Sequence, residues 1–395
     1  MQANDRPGGN RIVSIDRMRG FSLLGIFLVN MISFHSPFFY IDPGTWWDGT
    51  SSRITYKLID LFVQASFYPL FAMLFGYGLV ILRERTLDKG MPFYPIAFRR
   101  LSILLSFGIV HAFLIWSGDI LITYAICGFV FLFFIDWGAK RLLFAGLALY
   151  IIPNLLLLMM LTLSLLAEPN ASFSIYDREA AEQAIEIYQT GSFMEITEQR
   201  IKEWDEHHNI PGLLFYLITI LPLFLIGAAA AKWRLFENVS SKKQGMASFA
   251  VVMAAAGLLL KVIPYLTVRN IVTDYAQDTF GGPLLSVSYA LWIALASENR
   301  KMDRLFAPLE AAGRLSISHY LFQSVFSTMI FYSYGLGYFG KVSLFEGTML
   351  AIGIYTIQLA ASGLWVRRFF YGPVEWLWRS GTYMKKQPLK RGGRI

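Results

Sequence analysis

His111 and Asp119 stand eight residues apart, on either side of the tight turn Trp116-Ser117-Gly118-Asp119. A carboxylate beside an imidazole fixes its tautomer and raises its basicity, which is how a general base is prepared. His35 is a second candidate base, and Asn30, Asp60 and Gln64 complete the set of candidate catalytic groups. The amides of Asn30 and Gln64 are suited to donate to a developing oxyanion. The same residue types also serve as buried helix-to-helix hydrogen bonds, so type alone leaves both roles open. No metal centre is expected, because His35, Asp60, His111 and Asp119 follow no recognised ligand spacing. The single Cys127 supplies neither a disulfide nor a thiolate cluster. His207, His208 and His319 read as interfacial or packing residues.

A second constellation is basic. Asp16, Arg17 and Arg19 open the first apolar run, Arg99 and Arg100 open the third, Arg314 precedes the ninth, and Glu375 and Arg379 follow the last. Guanidinium forks bind phosphate bidentately, so arginines gathered at helix ends form a candidate mouth for a phosphate-bearing ligand. Arginines there also set topology and meet lipid phosphates.

Such residues need elements to hold them, and hydropathy supplies those. The 395 residues are 55% apolar and 16% charged, with mean hydropathy +0.47, where soluble domains carry about a quarter charged residues. Residues 142–167, 20–41 and 61–82 run without a charged side chain, and roughly 20 apolar helical residues cross a bilayer core. The fold class is therefore all-α, a polytopic transmembrane helical bundle forming one membrane domain over residues 1–395. Ten spans are expected: 18–37, 58–82, 99–116, 119–137, 142–167, 211–231, 246–266, 282–297, 315–333 and 348–366. With the N-terminus inside, 27 of the 35 basic residues fall on the inner side, so both termini are expected to be cytoplasmic. The first run follows a basic segment but lacks a small-residue cleavage site, so it reads as a retained helix. The net charge of +8 then follows topology rather than a nucleic-acid partner.

This orientation places Asn30, His35, Asp60, Gln64, His111 and Asp119 together in the outer half of the membrane, where polar groups are costly and mark function. The outer loop 168–210 carries ten acidic and three basic residues. It is expected to form short amphipathic helices, either as a connection or as a lid over an outward-facing site. Residues 380–395 form a basic cytoplasmic tail suited to anionic lipid. Gly76, Gly78, Gly108, Gly118 and Gly128 point to close helix packing or to room for a ligand.

Several stretches together resemble a known family. They are 15–21 leading to Asn30, 74–78, Arg99-Arg100-Leu101, Gly108 to His111, Gly118-Asp119-Ile120-Leu121, Gly313-Arg314, His319-Tyr320-Leu321 and the block 371–379. The chain is identified as a member of the YeiB/YrkO-like bacterial membrane proteins, a family of unknown function. More distantly, Asp16, Arg19, Gly20 and Asn30 are similar to the start of transmembrane acyltransferases such as heparan-α-glucosaminide N-acetyltransferase. That resemblance implies transfer of an acyl group from cytoplasmic acyl-CoA, the expected co-substrate, to an acceptor at the outer face, with either His35 or His111 as base. The expected setting is a multi-pass protein of the bacterial plasma membrane. Its expected partners are membrane lipids, a small-molecule, glycan or lipid acceptor and a second copy in a homodimer. Two other readings use the same residues: a small-molecule or ion transporter, and a non-catalytic lipid-binding protein.

Overall fold

The computed structural model describes residues 11–168, 176–237 and 239–391. Residues 169–175 of the acidic loop and 392–395 of the basic tail lie outside the described residues. In chain order the helices are α1 (Val13–His35), α2 (Thr50–Phe62), α3 (Phe67–Leu87), α4 (Phe93–Leu114), α5 (Leu121–Phe131), α6 (Ala139–Ala167), α7 (Arg178–Thr190), α8 (Phe193–His208) and α9 (Ile210–Thr219). They continue as α10 (Leu221–Lys232), α11 (Lys243–Leu266), α12 (Ile271–Ala276), α13 (Gly282–Ser297), α14 (Asp303–Gly313), α15 (Ser316–Phe331), α16 (Leu344–Arg368) and α17 (Pro373–Tyr383). The chain is a polytopic all-helical membrane protein. Among the described residues, eight helical stretches are long and apolar enough to cross a bilayer.

Two of the ten expected spans are shorter than a full crossing. Residues 119–137 form a helix only over Leu121–Phe131, because the chain is still turning at Asp119 and turns again over 132–136. Residues 315–333 form α15, which ends where Tyr332 turns extended. The expected span 58–82 is broken at 63–66, where Ala65 takes φ 55°. Carbonyls freed by a break must find donors inside the protein, since lipid offers none. Tyr289 donates to the Phe62 carbonyl at 2.8 Å, the Lys261 ammonium to the Gln64 carbonyl at 2.8 Å, and the Ser286 hydroxyl to the Ser66 carbonyl.

Glycines set the packing of the central helices. On α3 and α10, a Cβ at Gly76 would lie 2.1 Å from the Phe224 carbonyl oxygen, and one at Gly227 would lie 1.9 Å from that of Met73. Where α1 crosses α14, a Cβ at Gly20 would lie 2.1 Å from the Leu309 oxygen and one at Gly313 1.8 Å from the Asp16 oxygen. Lipid is as apolar as a side chain, so such close backbone approach supplies the attraction that burial supplies in water.

Helix α8 lies on α4 of the α4–α5 hairpin, and α7 lies on α8 and on the turn Phe38–Tyr40 that follows α1. Amphipathic spacing buries one face of each, through Ala181, Ala184 and Tyr188 on α7 and Ile196, Arg200 and Glu203 on α8. A capping box at Ser192 and Glu195 starts α8. At the other end of the bundle, the tail folds back onto α16, the Phe370 N–H donating to Leu389 and the Arg391 N–H to Arg368, both at 2.9 Å.

Replacing Gly227 by Val forces the α3–α10 backbones apart, a class of change that costs about 1–3 kcal/mol or more. Detergent-purified Gly227→Val should melt well below wild type or fail to elute as a single species. Gly353→Ala, at a position with nothing within 4 Å of an added Cβ, should melt like wild type.

Candidate functional site

His111 sits in the last full turn of α4, and Asp119 ends the turn that follows. Both side chains are fully buried, and His111 Nδ1 lies 2.8 Å from Asp119 Oδ1. The other carboxylate oxygen, Oδ2, accepts the Ile122 N–H at 2.7 Å at the start of α5. Gly108, one turn before His111, leaves the room for this, since a Cβ there would lie 3.0 Å from Oδ2 and 2.7 Å from the Ile122 nitrogen. A carboxylate only accepts, so the imidazole proton belongs on Nδ1 and the lone pair on Nε2. That Nε2 is buried and has no hydrogen-bond partner. Tyr320 and Trp116 flank the ring at 5.0 and 6.2 Å between centroids. The arrangement is that of an oriented base.

A buried carboxylate roofs the hairpin. Glu203 of α8 accepts from the Ser117 and Tyr188 hydroxyls at 2.8 Å each and from the Gln199 amide at 3.1 Å. Phe34 at the end of α1 packs against Trp116, the rings tilted and their centroids 4.3 Å apart. Glu203 is one of ten acidic residues in its loop, and nothing in its type or spacing distinguishes it.

The six candidate catalytic residues separate. His111 and Asp119 pair. Asp60 and Gln64 belong to a different cluster, with Lys261, Tyr265, Gln277 and Asp278. His35 is buried against Trp47 and Phe331, neither ring nitrogen has a hydrogen-bond partner, and a Cβ at Gly347 would lie 2.5 Å from its ring. Asn30 is half-buried on α1 and joins neither cluster. Lys261 was absent from the sequence-derived set, although a lone charge inside the apolar run 246–266 is a signal of the kind that marks intramembrane sites.

The basic residues meet around one cavity of about 320 Å³ between α1, α3, α4, α15 and α17. Arg19, Arg100, Arg314 and Arg379 line it, together with Arg11, Arg85 and Lys89. Arg100 lies over the Trp378 ring at 3.5 Å, and Arg379 is 5.2 Å from the rings of both Tyr371 and Tyr383. Burial, with Arg11 and Arg391 close by, pulls the Arg314 guanidinium down to about 10. Asp16 is 3.6 Å from Arg19. Glu375 also lines the cavity, but its carboxylate accepts the Ile317 and Ser318 N–H groups at 2.7 and 3.0 Å, so it holds the start of α15. Arg17 and Arg99 face elsewhere. The first pairs with Asp303 at 2.8 Å, and the second donates to the Thr382 carbonyl at 3.0 Å. From this basic mouth the cavity continues along Leu74, Phe75 and Leu104 to Leu121 and Tyr124 on α5.

Comparison with known proteins places the chain. It is 34% identical to the uncharacterized protein YxaH of Bacillus subtilis strain 168, over 98% of this chain and 97% of that one. A family described as protein of unknown function, DUF418, matches residues 230–385. The chain belongs to the DUF418 family. It is also 27% identical to the uncharacterized protein YeiB of Escherichia coli K12, over 96% and 98% of the two chains. A 39.9 kDa protein of Bacillus acidopullulyticus, named from the region 3′ of an amylase gene, is 26% identical over 96% of each chain. The DUF418 match includes Arg314, Glu375 and Arg379, whereas YxaH and YeiB are similar over nearly the whole chain.

Burial holds the Glu203 carboxyl above the usual carboxylate range, outweighing its three hydrogen bonds. A folded state that holds a proton more tightly than the unfolded chain gains stability as pH falls from neutral through the raised value, and loses it as pH rises. The wild-type melting temperature should therefore gain more between pH 7 and pH 5 than that of Glu203→Gln, measured by tryptophan fluorescence. Equal gains would remove Glu203 as the source.

Proposed function

We propose that this DUF418 protein is an acyltransferase of the bacterial plasma membrane, taking an acyl group from cytoplasmic acyl-CoA and passing it to a hydroxyl or amine at the outer face. One observation carries the reading. A single cavity joins an arginine-rich mouth to Leu121 and Tyr124, on the helix whose first turn is held by Asp119. Its volume of about 320 Å³ falls within the roughly 300–1,000 Å³ of small-molecule sites. Crowded guanidinium groups at the mouth suit the phosphates of a nucleotide-bearing donor, and the apolar stem suits an acyl chain.

In this reading His111 Nε2 takes the proton from the acceptor as its oxygen or nitrogen attacks the thioester carbonyl. The carbon–sulfur bond then breaks, and the CoA thiolate leaves with that proton, restoring neutral His111. Asp119 keeps Nδ1 protonated throughout and stabilises the transient imidazolium. His111 does not itself line the cavity, so turnover requires the wall at Leu104 and Leu121 to part. Asn30 and Gln64 are not retained as oxyanion donors, because neither belongs to the His111–Asp119 group. A transporter is the second reading, and it is favoured by the charged Lys261–Asp278 pair in the membrane-spanning region.

Inside-out vesicles holding the protein should release free CoA from acetyl-CoA or a longer acyl-CoA. His111→Ala should lower that rate by about 10²–10⁴-fold, His35→Ala should leave it near wild type, and Arg100→Gln should raise KM more than it lowers kcat. Gradient-dependent uptake without CoA release from any donor would sink the acyltransferase reading in favour of transport.

A further inference from the structure

A second polar cluster lies apart from the hairpin and the basic cavity, where the α2–α3 break meets α11 and the π-helical turn Gln277–Gly281. Its cations are largely accounted for. Lys261, fully buried, is 2.8 Å from Asp278 Oδ1 and donates to the Gln64 carbonyl. Arg269 pairs with Asp274 at 3.1 Å and donates to the Tyr56 hydroxyl at 2.9 Å. Lys57 is exposed, 6.0 Å from the centre of the Tyr265 ring, where solvent screens it.

Asp60 is left over. It is 4% exposed and accepts from the Tyr265 hydroxyl at 2.6 Å and the Gln277 amide at 2.7 Å, both on Oδ2. Among the described residues no cation lies within ion-pair distance of it. Gln277 is 1% exposed, and its Oε1 is buried without a partner. The amide cannot be reversed, because that would set two acceptors 2.7 Å apart. Arg269 acts on Asp60 only from beyond ion-pair distance, so a buried carboxylate with no ion-pair partner and a buried amide oxygen without a donor belong to two residues joined by a hydrogen bond.

One kind of ligand repairs both deficits: a cation bound by oxygen. A single carboxylate with neutral oxygens supplies one negative charge, and among the described residues no group of three or more His, Cys, Asp or Glu gathers, as a divalent ion commonly requires. Interrupted helices and π-turns are also where membrane proteins place ion ligands. We propose that Asp60 and Gln277 Oε1 form a binding site for a monovalent, sodium-class cation.

Full-length protein in nanodiscs should take up radioactive sodium saturably. Its melting temperature should rise in sodium chloride relative to choline chloride at equal ionic strength. Asp60→Asn and Gln277→Leu should each lose both effects, and His111→Ala should keep both, so that sodium binding stands or falls separately from acyl transfer. Gln277→Leu keeps the Asp60 carboxylate and carries the test should Asp60→Asn fail to fold. Absence of saturable sodium uptake by wild type, or uptake and melting shift unchanged in the variants, would overturn the site.

Discussion

Within hydrocarbon every peptide N–H and C=O must find its partner inside the protein, and the fold is organised around the places where α-helix alone does not meet that demand. The break at 63–66 frees carbonyls that Tyr289, Lys261 and Ser286 recover from α13 and α11. At the α4–α5 turn, Asp119 takes up the Ile122 N–H. At the start of α15, Glu375 takes up two N–H groups from the neighbouring α17. Each repair puts a charged or polar side chain at an interrupted helix. Asp119 and Glu375 therefore sit at turns, and Lys261 reaches from α11 to the break, while the long helices also carry the glycine contacts.

These repairs also divide the molecule into three polar regions. Asp119 orients His111 under a roof supplied by α8, the arginines gather around the opposite cavity, and Lys261, Asp278 and Asp60 collect at the α2–α3 break. The apolar stem of the cavity runs from the arginines to Leu121 and Tyr124, on the helix whose first turn Asp119 holds, and stops short of His111 itself. The third stands outside that path, so its charges answer to a different requirement.

Much of this was legible in the chain. Uncharged runs such as 142–167 have the length of a bilayer crossing, and the helix Ala139–Ala167 follows. The pairing of His111 with Asp119 was legible because a four-residue turn forces its two flanks together. The arginine cluster was legible in outline, but Arg17 and Arg99 could not be told from Arg19 and Arg100. Which face of a helix meets a cavity depends on its neighbours, and those come from distant parts of the chain. The expected crossing at 315–333 fell short for a related reason: Leu, Phe and Ile report hydrophobicity, whereas the end of α15 is marked by the extended backbone at Tyr332 and the turn after it.

By itself the sequence determined that the chain is built of many helices, several of them long and apolar enough to cross a membrane, and that His111 and Asp119 meet. Both rest on local quantities: run length and the reach of a short turn. Only the tertiary structure decided that His35 is packed against aromatic rings, that Glu203 rather than another acid of its loop enters the interior, and that Asp60 answers Gln277 across 217 positions. Those outcomes depend on which helices lie side by side. That choice is made by reciprocal glycine contacts such as Gly76 with Phe224 and Gly227 with Met73, whose partners no local reading of either segment can supply.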